Sequence, residues 1–380
     1  MYFPKIILLL PCLAVAAVQA VTVPDSISRI SRVMHRIAPD TIDTRKSILW
    51  NGFARSAAWG RPFWADMHST LTRVEVAYAT NSPDYDWAGD GNSYRPYVFA
   101  NIGADLPVWT GEFSGGKFGV SLALPFFVDV WLDMFERTTA PVINTAYRFG
   151  AFDFGFIHHL EKPFFRVIKN YAVRISPLKH ECTHIGDELT IYRINDADMK
   201  VTRINVSYNY AEFMLTLNDP AGSIRSNHAL RFGFLLLHDF KRGYYDILPQ
   251  EADEDVVESS HRPWEWYIQW QYQSALMRRN MQVIASMEWR DRERYNYPFS
   301  YSGHLQDWLD AHPKLSSRWM LNPTQLCINF FAGLRFNNVV HLGYYSKIGV
   351  GFRYYSGINP YGQFRSQPRF NQWGITLMFE

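Results

Sequence analysis

From Lys117 onward apolar side chains fall at every second position, Phe118, Val120, Leu122, Leu124, Phe126, Val128, Val130 and Leu132, with Gly119, Ser121, Ala123 and Asp129 between them. A two-residue period puts the two sets on opposite faces of an extended strand. One face suits lipid and the other a wet or small-residue interior. Trp264, Trp266, Ile268, Trp270 and Tyr272 repeat the pattern against Glu265, Gln269, Gln271 and Gln273. Leu342, Tyr344, Ile348, Val350, Phe352 and Tyr354 repeat it against His341, Lys347 and Arg353. Such runs exceed the ~5 to 6 residues of an ordinary strand and match the ~9 to 11 that cross a bilayer at a tilt.

Further strands are expected at 71–80, 97–104, 144–156, 166–176, 189–194, 201–217, 228–239, 281–290, 326–336 and 371–380, which makes thirteen segments in all. Closed bacterial barrels carry an even number of strands, so one segment is a loop, a split or a merged pair. The expected fold is all-β, a closed antiparallel transmembrane β-barrel of about 12 strands, with a range of roughly 10 to 14.

Hydropathy supports this over a helical membrane protein. The apolar stretches at 120–130 and 232–237 are broken or bounded by Pro125, Asp129, Arg231 and Asp239, short of the ~18 residues a spanning helix needs. A mean hydropathy of −0.21 is low for helical spans but ordinary for strands that show apolar groups only on alternate positions. Aromatic residues at 16% with charged residues at only 19% favour order over disorder. A net charge of +2 gives no basic surface for nucleic acid, which is not expected as a partner.

Residues 1–20 read as a signal peptide: Lys5 precedes the apolar runs 6–10 and 13–18, and Val18-x-Ala20 suits cleavage after Ala20. Cys12 follows Pro11, a poor neighbour for lipid attachment. The mature chain keeps Cys182 and Cys327, whose pairing would require Cα atoms within about 7 Å and stays open here. Residues 21–64 form a periplasmic arm or short helix, with Ile27, Ile30, Val33, Met34 and Ile37 at helical spacing among arginines, and residues 65–380 form the barrel. Glu251, Asp253, Glu254, Asp255 and Glu258 lack the turn glycine of a calcium loop and read as a solvated segment. Arg278, Arg279, Arg290, Arg292 and Arg294, among aromatics, are expected at lipid headgroups. The ending Trp373-x-Ile375-x-Leu377-x-Phe379, followed by Glu380, resembles the terminal strand read by the barrel assembly machinery. The expected partners are therefore that machinery and outer-membrane lipid, and the expected location is the outer membrane.

Candidate chemistry gathers at His180, Glu181, Cys182, Thr183, His184, Ile185, Gly186, Asp187 and Glu188. If the strand through Arg174 and Ser176 continues in phase past Pro177, His180, Cys182 and His184 share the lumen face with Arg174. There they would brace the wall in a hydrogen-bonded polar cluster with no cofactor. Two other uses of these residues are open. His180, Cys182 and His184 are all zinc-ligand types, but alternate strand positions lie nearly 7 Å apart, too far for one ion unless the chain bends. His180 and Cys182 could instead act as base and nucleophile. The pair resembles the H-x-S of two outer-membrane barrel enzyme families, phospholipase A and lipid A deacylase, which hydrolyse acyl esters. Those families carry the pair on the lipid side, against the phase expected here.

A longer resemblance covers roughly residues 65–380. His180 to Glu188 resembles the H-x-S-S-H-x-G-D-E signature of the bacterial outer-membrane family catalogued as domain of unknown function 1207, with Cys182 and Thr183 at the two serines. Asn144-Thr145-Ala146-Tyr147-Arg148-Phe149-Gly150 is similar to its N-x-D-Y-R-x-G. Arg203-Ile204-Asn205-Val206-Ser207-Tyr208 and Gly357-Ile358-Asn359-Pro360-Tyr361-Gly362-Gln363-Phe364 resemble its later landmarks. The resemblance implies an outer-membrane barrel and no activity. The expected role is therefore structural, transport or surface interaction rather than catalysis. The alternatives are a lipid acyl hydrolase using His180 and Cys182, or a periplasmic metal-binding β-protein.

Overall fold

A computed structural model describes residues 63–80, 94–114, 117–134, 142–165, 167–185, 203–219, 227–245, 264–276, 281–293, 324–342, 345–361 and 370–379. The expected signal peptide, the helical spacing at 27–37, the segment 189–194, the acidic run 251–258, Arg278, Arg279, Arg294, Gly186, Asp187, Glu188, Gly362, Gln363, Phe364 and Glu380 lie outside them.

The strands are β1 (Thr72–Thr80), β2 (Tyr94–Phe113), β3 (Phe118–Leu132), β4 (Val142–Gly150), β5 (Asp153–Phe164), β6 (Ile168–Ile185) and β7 (Arg203–Leu217). They continue as β8 (Asn227–Tyr245), β9 (Trp264–Ala275), β10 (Met281–Glu293), β11 (Thr324–Leu342), β12 (Tyr345–Gly357) and β13 (Phe370–Phe379). Neighbours pair antiparallel, and β1 pairs with β13 from Thr72↔Phe379 to Ala79↔Gln372, which closes the sheet. The strands β4 and β5 lie end to end between β3 and β6. Thirteen strands therefore make twelve crossings. Twelve of the expected segments fall on strands, and 144–156 spans both β4 and β5.

Alternation assigns the two faces as the sequence requires. Along β3 and β9 every second residue is buried, Gly119, Ser121 and Ala123 in one and Glu265, Gln269 and Gln271 in the other. The exterior carries exposed Ile102, Phe154, Phe213, Phe232, Phe234, Val350, Phe352, Trp373 and Ile375. Val350 stands outward on β12, while Lys347 is on the inward phase of Gly349 and Arg353. Val350→Arg should therefore lower barrel stability by about 2 to 4 kcal/mol and Lys347→Gln by much less, read from denaturant unfolding in lipid vesicles. Equal losses would mean that the faces are assigned the wrong way round.

The lumen is filled rather than open. Residues 63–70 lie inside the wall before β1 begins. The Trp64 amide donates to Gln271 Oε1 at 3.0 Å and the Ala65 amide to Ser286 Oγ at 3.1 Å. Arg231 stacks over Phe63 with Cζ 4.3 Å from the ring centroid. Gly349 lies directly under the Trp64 indole, where a Cβ would come within 2.0 Å of it, so only glycine admits the ring. Asp66 sits 3.7 Å from Arg290. Burial alone would raise its carboxyl, but Arg290 and Arg231 and hydrogen bonds from Gln269 and the His68 amide hold it below the ordinary carboxylate value.

Arg290 and Arg292, expected at headgroups, are instead 2% and 1% exposed inside the barrel. Arg290 lies over the Tyr267 ring and donates to Glu288. The even positions of β10 are its lumen phase, and buried arginine is tolerated there because carboxylates face it: Glu288 of the same strand and Asp66 of the lumen segment for Arg290, and Glu265 of β9 for Arg292.

Candidate functional site

The site is created by a break in phase. In the β6–β7 pair Ser176 faces Glu212 and Lys179 faces Tyr210, so Pro177 and Leu178 together oppose the single residue Ala211. This is a β-bulge, which inserts one residue and reverses the faces beyond it. Neighbouring strands do the same at this level. Between β3 and β4–β5, residues 150–152 oppose 124–125, and β8 carries an extra residue between Leu237 and Asp239.

The expected lumen position of His180, Cys182 and His184 is thereby corrected. Arg174 and Ser176 point inward, but beyond the bulge Glu181 and Thr183 are fully buried while His184 is exposed. His180 lies against outward Phe149, ring centroids 5.1 Å apart, and His184 against outward Tyr147 at 5.8 Å. Proline within strands is confined to edges, strand starts and bulges, so Pro177 was the signal of the reversal.

On this outer face His180 is bracketed by two side chains of β7. Its Nδ1 lies 2.8 Å from Asn209 Oδ1 and its Nε2 3.4 Å from Ser207 Oγ. Because a carboxamide oxygen only accepts, Nδ1 carries the proton and donates to Asn209, leaving Nε2 as the acceptor for the Ser207 hydroxyl. Asn209 is the direct cross-strand partner of His180, and Ser207 that of Cys182. The result is an oriented base touching a hydroxyl, with a thiol beside it.

Behind the site, on the lumen side, Glu181 accepts from Arg148 Nε at 2.8 Å and Nη2 at 3.3 Å and from the Tyr208 hydroxyl at 2.7 Å. His68 Nδ1 lies 3.8 Å from the same carboxylate. Glu181 thus braces the wall behind the site, while Asp187 and Glu188 of the expected bracing cluster lie outside the described residues. Three sequence landmarks, Asn144–Gly150, His180–Ile185 and Arg203–Tyr208, meet side by side on β4, β6 and β7. The Asn144 side chain even donates to the His184 carbonyl at 3.2 Å.

The Gly357–Tyr361 landmark does different work. Gly357 has φ +152°, and a Cβ there would come within 2.6 Å of Cys327 Sγ. The chain then turns inward: Ile358 N donates to Cys327 Sγ at 3.3 Å and Tyr361 N to Asn359 Oδ1 at 3.0 Å. Asn359 and Pro360 are buried. Tyr361 packs on Phe99 and Trp131, and these rings, with Tyr97, Tyr355 and Phe370, form an aromatic cluster inside this end of the barrel.

Cys327 is buried in that cluster and Cys182 faces outward; both are free. Among the described residues no three His, Cys, Asp or Glu side chains converge on a point that could hold a metal. A lumen cavity lined by Asp66, His68, Arg174, Lys179, Glu212 and Arg290 has a volume of about 30 Å³, room for one or two waters.

No family model matches the chain, and no curated protein matches it. Several solved structures are similar to it. Outer-membrane phospholipase A from Escherichia coli is 11% identical over 82% of this chain and 93% of that one, with a TM-score of 0.41. The translocator domain of autotransporter NalP from Neisseria meningitidis is 9% identical over 82% and 87%, with a TM-score of 0.35. LpxR from Salmonella typhimurium is 9% identical over 81% and 99%, with a TM-score of 0.31. At these identities and TM-scores the likeness says nothing of function; the chain itself is a closed twelve-crossing antiparallel β-barrel.

Proposed function

We propose that this outer-membrane barrel is a lipid acyl-ester hydrolase whose site lies on its exterior, with Ser207 as nucleophile, His180 as general base and Asn209 orienting the imidazole. The observation that carries the reading is the line of contacts from Asn209 through His180 to Ser207 on the lipid-facing side. A base held in one tautomer beside a hydroxyl is the arrangement that activates a nucleophile. The sequence landmarks, on this reading, mark the same site, since three of them meet there.

Depth supports the assignment. Below His180 the outward residues of β6 are Leu178, Ile175, Val173 and Tyr171. At the lower edge His158 accepts or donates at 3.1 Å with Tyr171 and stacks on Phe118, and His228 packs on Trp270 and Tyr272. Amphipathic rings of this kind border the apolar band at each membrane surface. From Tyr171 to His180 the strand climbs roughly 20 to 23 Å at a usual tilt, close to the ~25 Å height of that band. His180 therefore sits at the boundary of acyl chains and headgroups, the level of lipid ester bonds. Short connections such as β5–β6 and β11–β12 gather at the opposite end and long ones such as β6–β7 and β10–β11 at this end. Barrels of this class keep short turns in the periplasm, which supports a site in the outer leaflet.

In the reaction, Ser207 Oγ attacks the ester carbonyl while His180 Nε2 takes its proton. Nε2 returns that proton to the departing alcohol, and water then cleaves the acyl-serine by the same route. The test is a fluorophosphonate ester probe on the folded protein in detergent, followed by peptide mapping. Labelling of Ser207 together with phospholipid turnover is expected. Labelling of Cys182 instead would move the nucleophile to the thiol and refute the Ser207 assignment, and neither labelling nor turnover would end the hydrolase reading.

A further inference from the structure

Just beneath the His180 group the exterior holds a notch. Ala211 points outward on β7, between outward Asn209 above and Phe213 below. Its partner across β8 is Leu236, and on the β6 side it faces the bulge residues Pro177 and Leu178. The walls are tall and turned to the bilayer: Leu178 is 46% exposed, Phe213 47% and Leu236 42%. The floor is a single methyl group. The bulge shapes the β6 side of the notch, because Pro177 and Leu178, both exposed, stand together opposite the one small residue Ala211.

We infer that this notch is an acyl-chain subsite, in which methylenes well down the chain of a fatty ester lie over Ala211 between Leu178 and Leu236 while the carbonyl rests at Ser207. Ala211 lies two residues below Asn209 and four below Ser207 along β7, about 7 and 13 Å of strand. That is the path of a chain descending from an ester at the interface into the apolar band. The wall residues offer methyl and ring surface and no hydrogen-bonding group, so the ligand is a long saturated or monounsaturated acyl chain rather than a sugar or headgroup. The subsite rests on the hydrolase reading.

The two can be tested apart with two esters, a dipalmitoyl phospholipid in mixed micelles and p-nitrophenyl butyrate, whose chain ends above the notch. Ala211→Trp fills the notch with an apolar side chain that the bilayer tolerates. It should cut phospholipid turnover by roughly tenfold or more and leave butyrate turnover within about twofold. Ala211→Leu should fall between wild type and Ala211→Trp, and heat-modifiable gel migration identifies folded variants. Equal loss on both esters from folded variants, or no loss on the phospholipid, overturns the subsite while leaving the hydrolase reading in place. Wild-type protein inert on both esters removes that reading and the subsite with it.

Discussion

Replacing His180 by alanine should lower ester turnover by a factor of roughly 10³ to 10⁶ while the barrel still folds. The imidazole is half-buried on the exterior and its contacts are Asn209, Ser207 and the Phe149 ring, so little of the wall depends on it. Ser207→Ala should cost about as much, and the double variant no more than either alone, because groups acting as one unit are not additive. Asn209→Ala should cost less, since it frees the imidazole to turn without removing it. Cys182→Ala should leave turnover nearly unchanged. A His180→Ala protein with wild-type activity would mean that the Asn209–His180–Ser207 line is structural.

The largest loss of stability is expected behind the site. Glu181→Ala would leave the Arg148 guanidinium buried without its carboxylate and the Tyr208 hydroxyl without its acceptor. Removing one partner of a buried ion pair costs about 3 to 5 kcal/mol. Glu181→Gln keeps an acceptor and should cost less. Denaturant unfolding in detergent measures both, and a loss below about 1 kcal/mol for Glu181→Ala would show that water readily replaces the pair.

Strand after strand was legible because alternation of period two is a property of many residues at once: the Phe118–Leu132 and Trp264–Ala275 faces could hardly be assigned otherwise. The site was less legible because its geometry hangs on single residues. The one extra position at Pro177–Leu178 is marked by the proline alone, and reading the strand as continuous past it sent His180 to the wrong side. Ser207 and Asn209 lie 27 and 29 positions from His180, and only the β6–β7 register brings them to it. Ser207 stood in a recognised landmark but looked like a strand residue; Asn209, just past it, had no signal of its own. Residues 63–70 straddle the boundary expected between the arm, 21–64, and the barrel, 65–380, and nothing local indicates that they would occupy the lumen.

The bulge also means that a side chain's address, water or lipid, is set on β6 by counting and not by composition. Deleting Leu178 would restore plain alternation, turn His180 and Cys182 toward the interior and send Glu181 and Thr183 into the bilayer. No strand would change its neighbours. A wall built this way has a parity, and a single codon gained or lost exchanges the contents of half a strand between two compartments. For an exterior catalytic face, that makes length at residues 177–178 as strict a requirement as the identity of His180 itself.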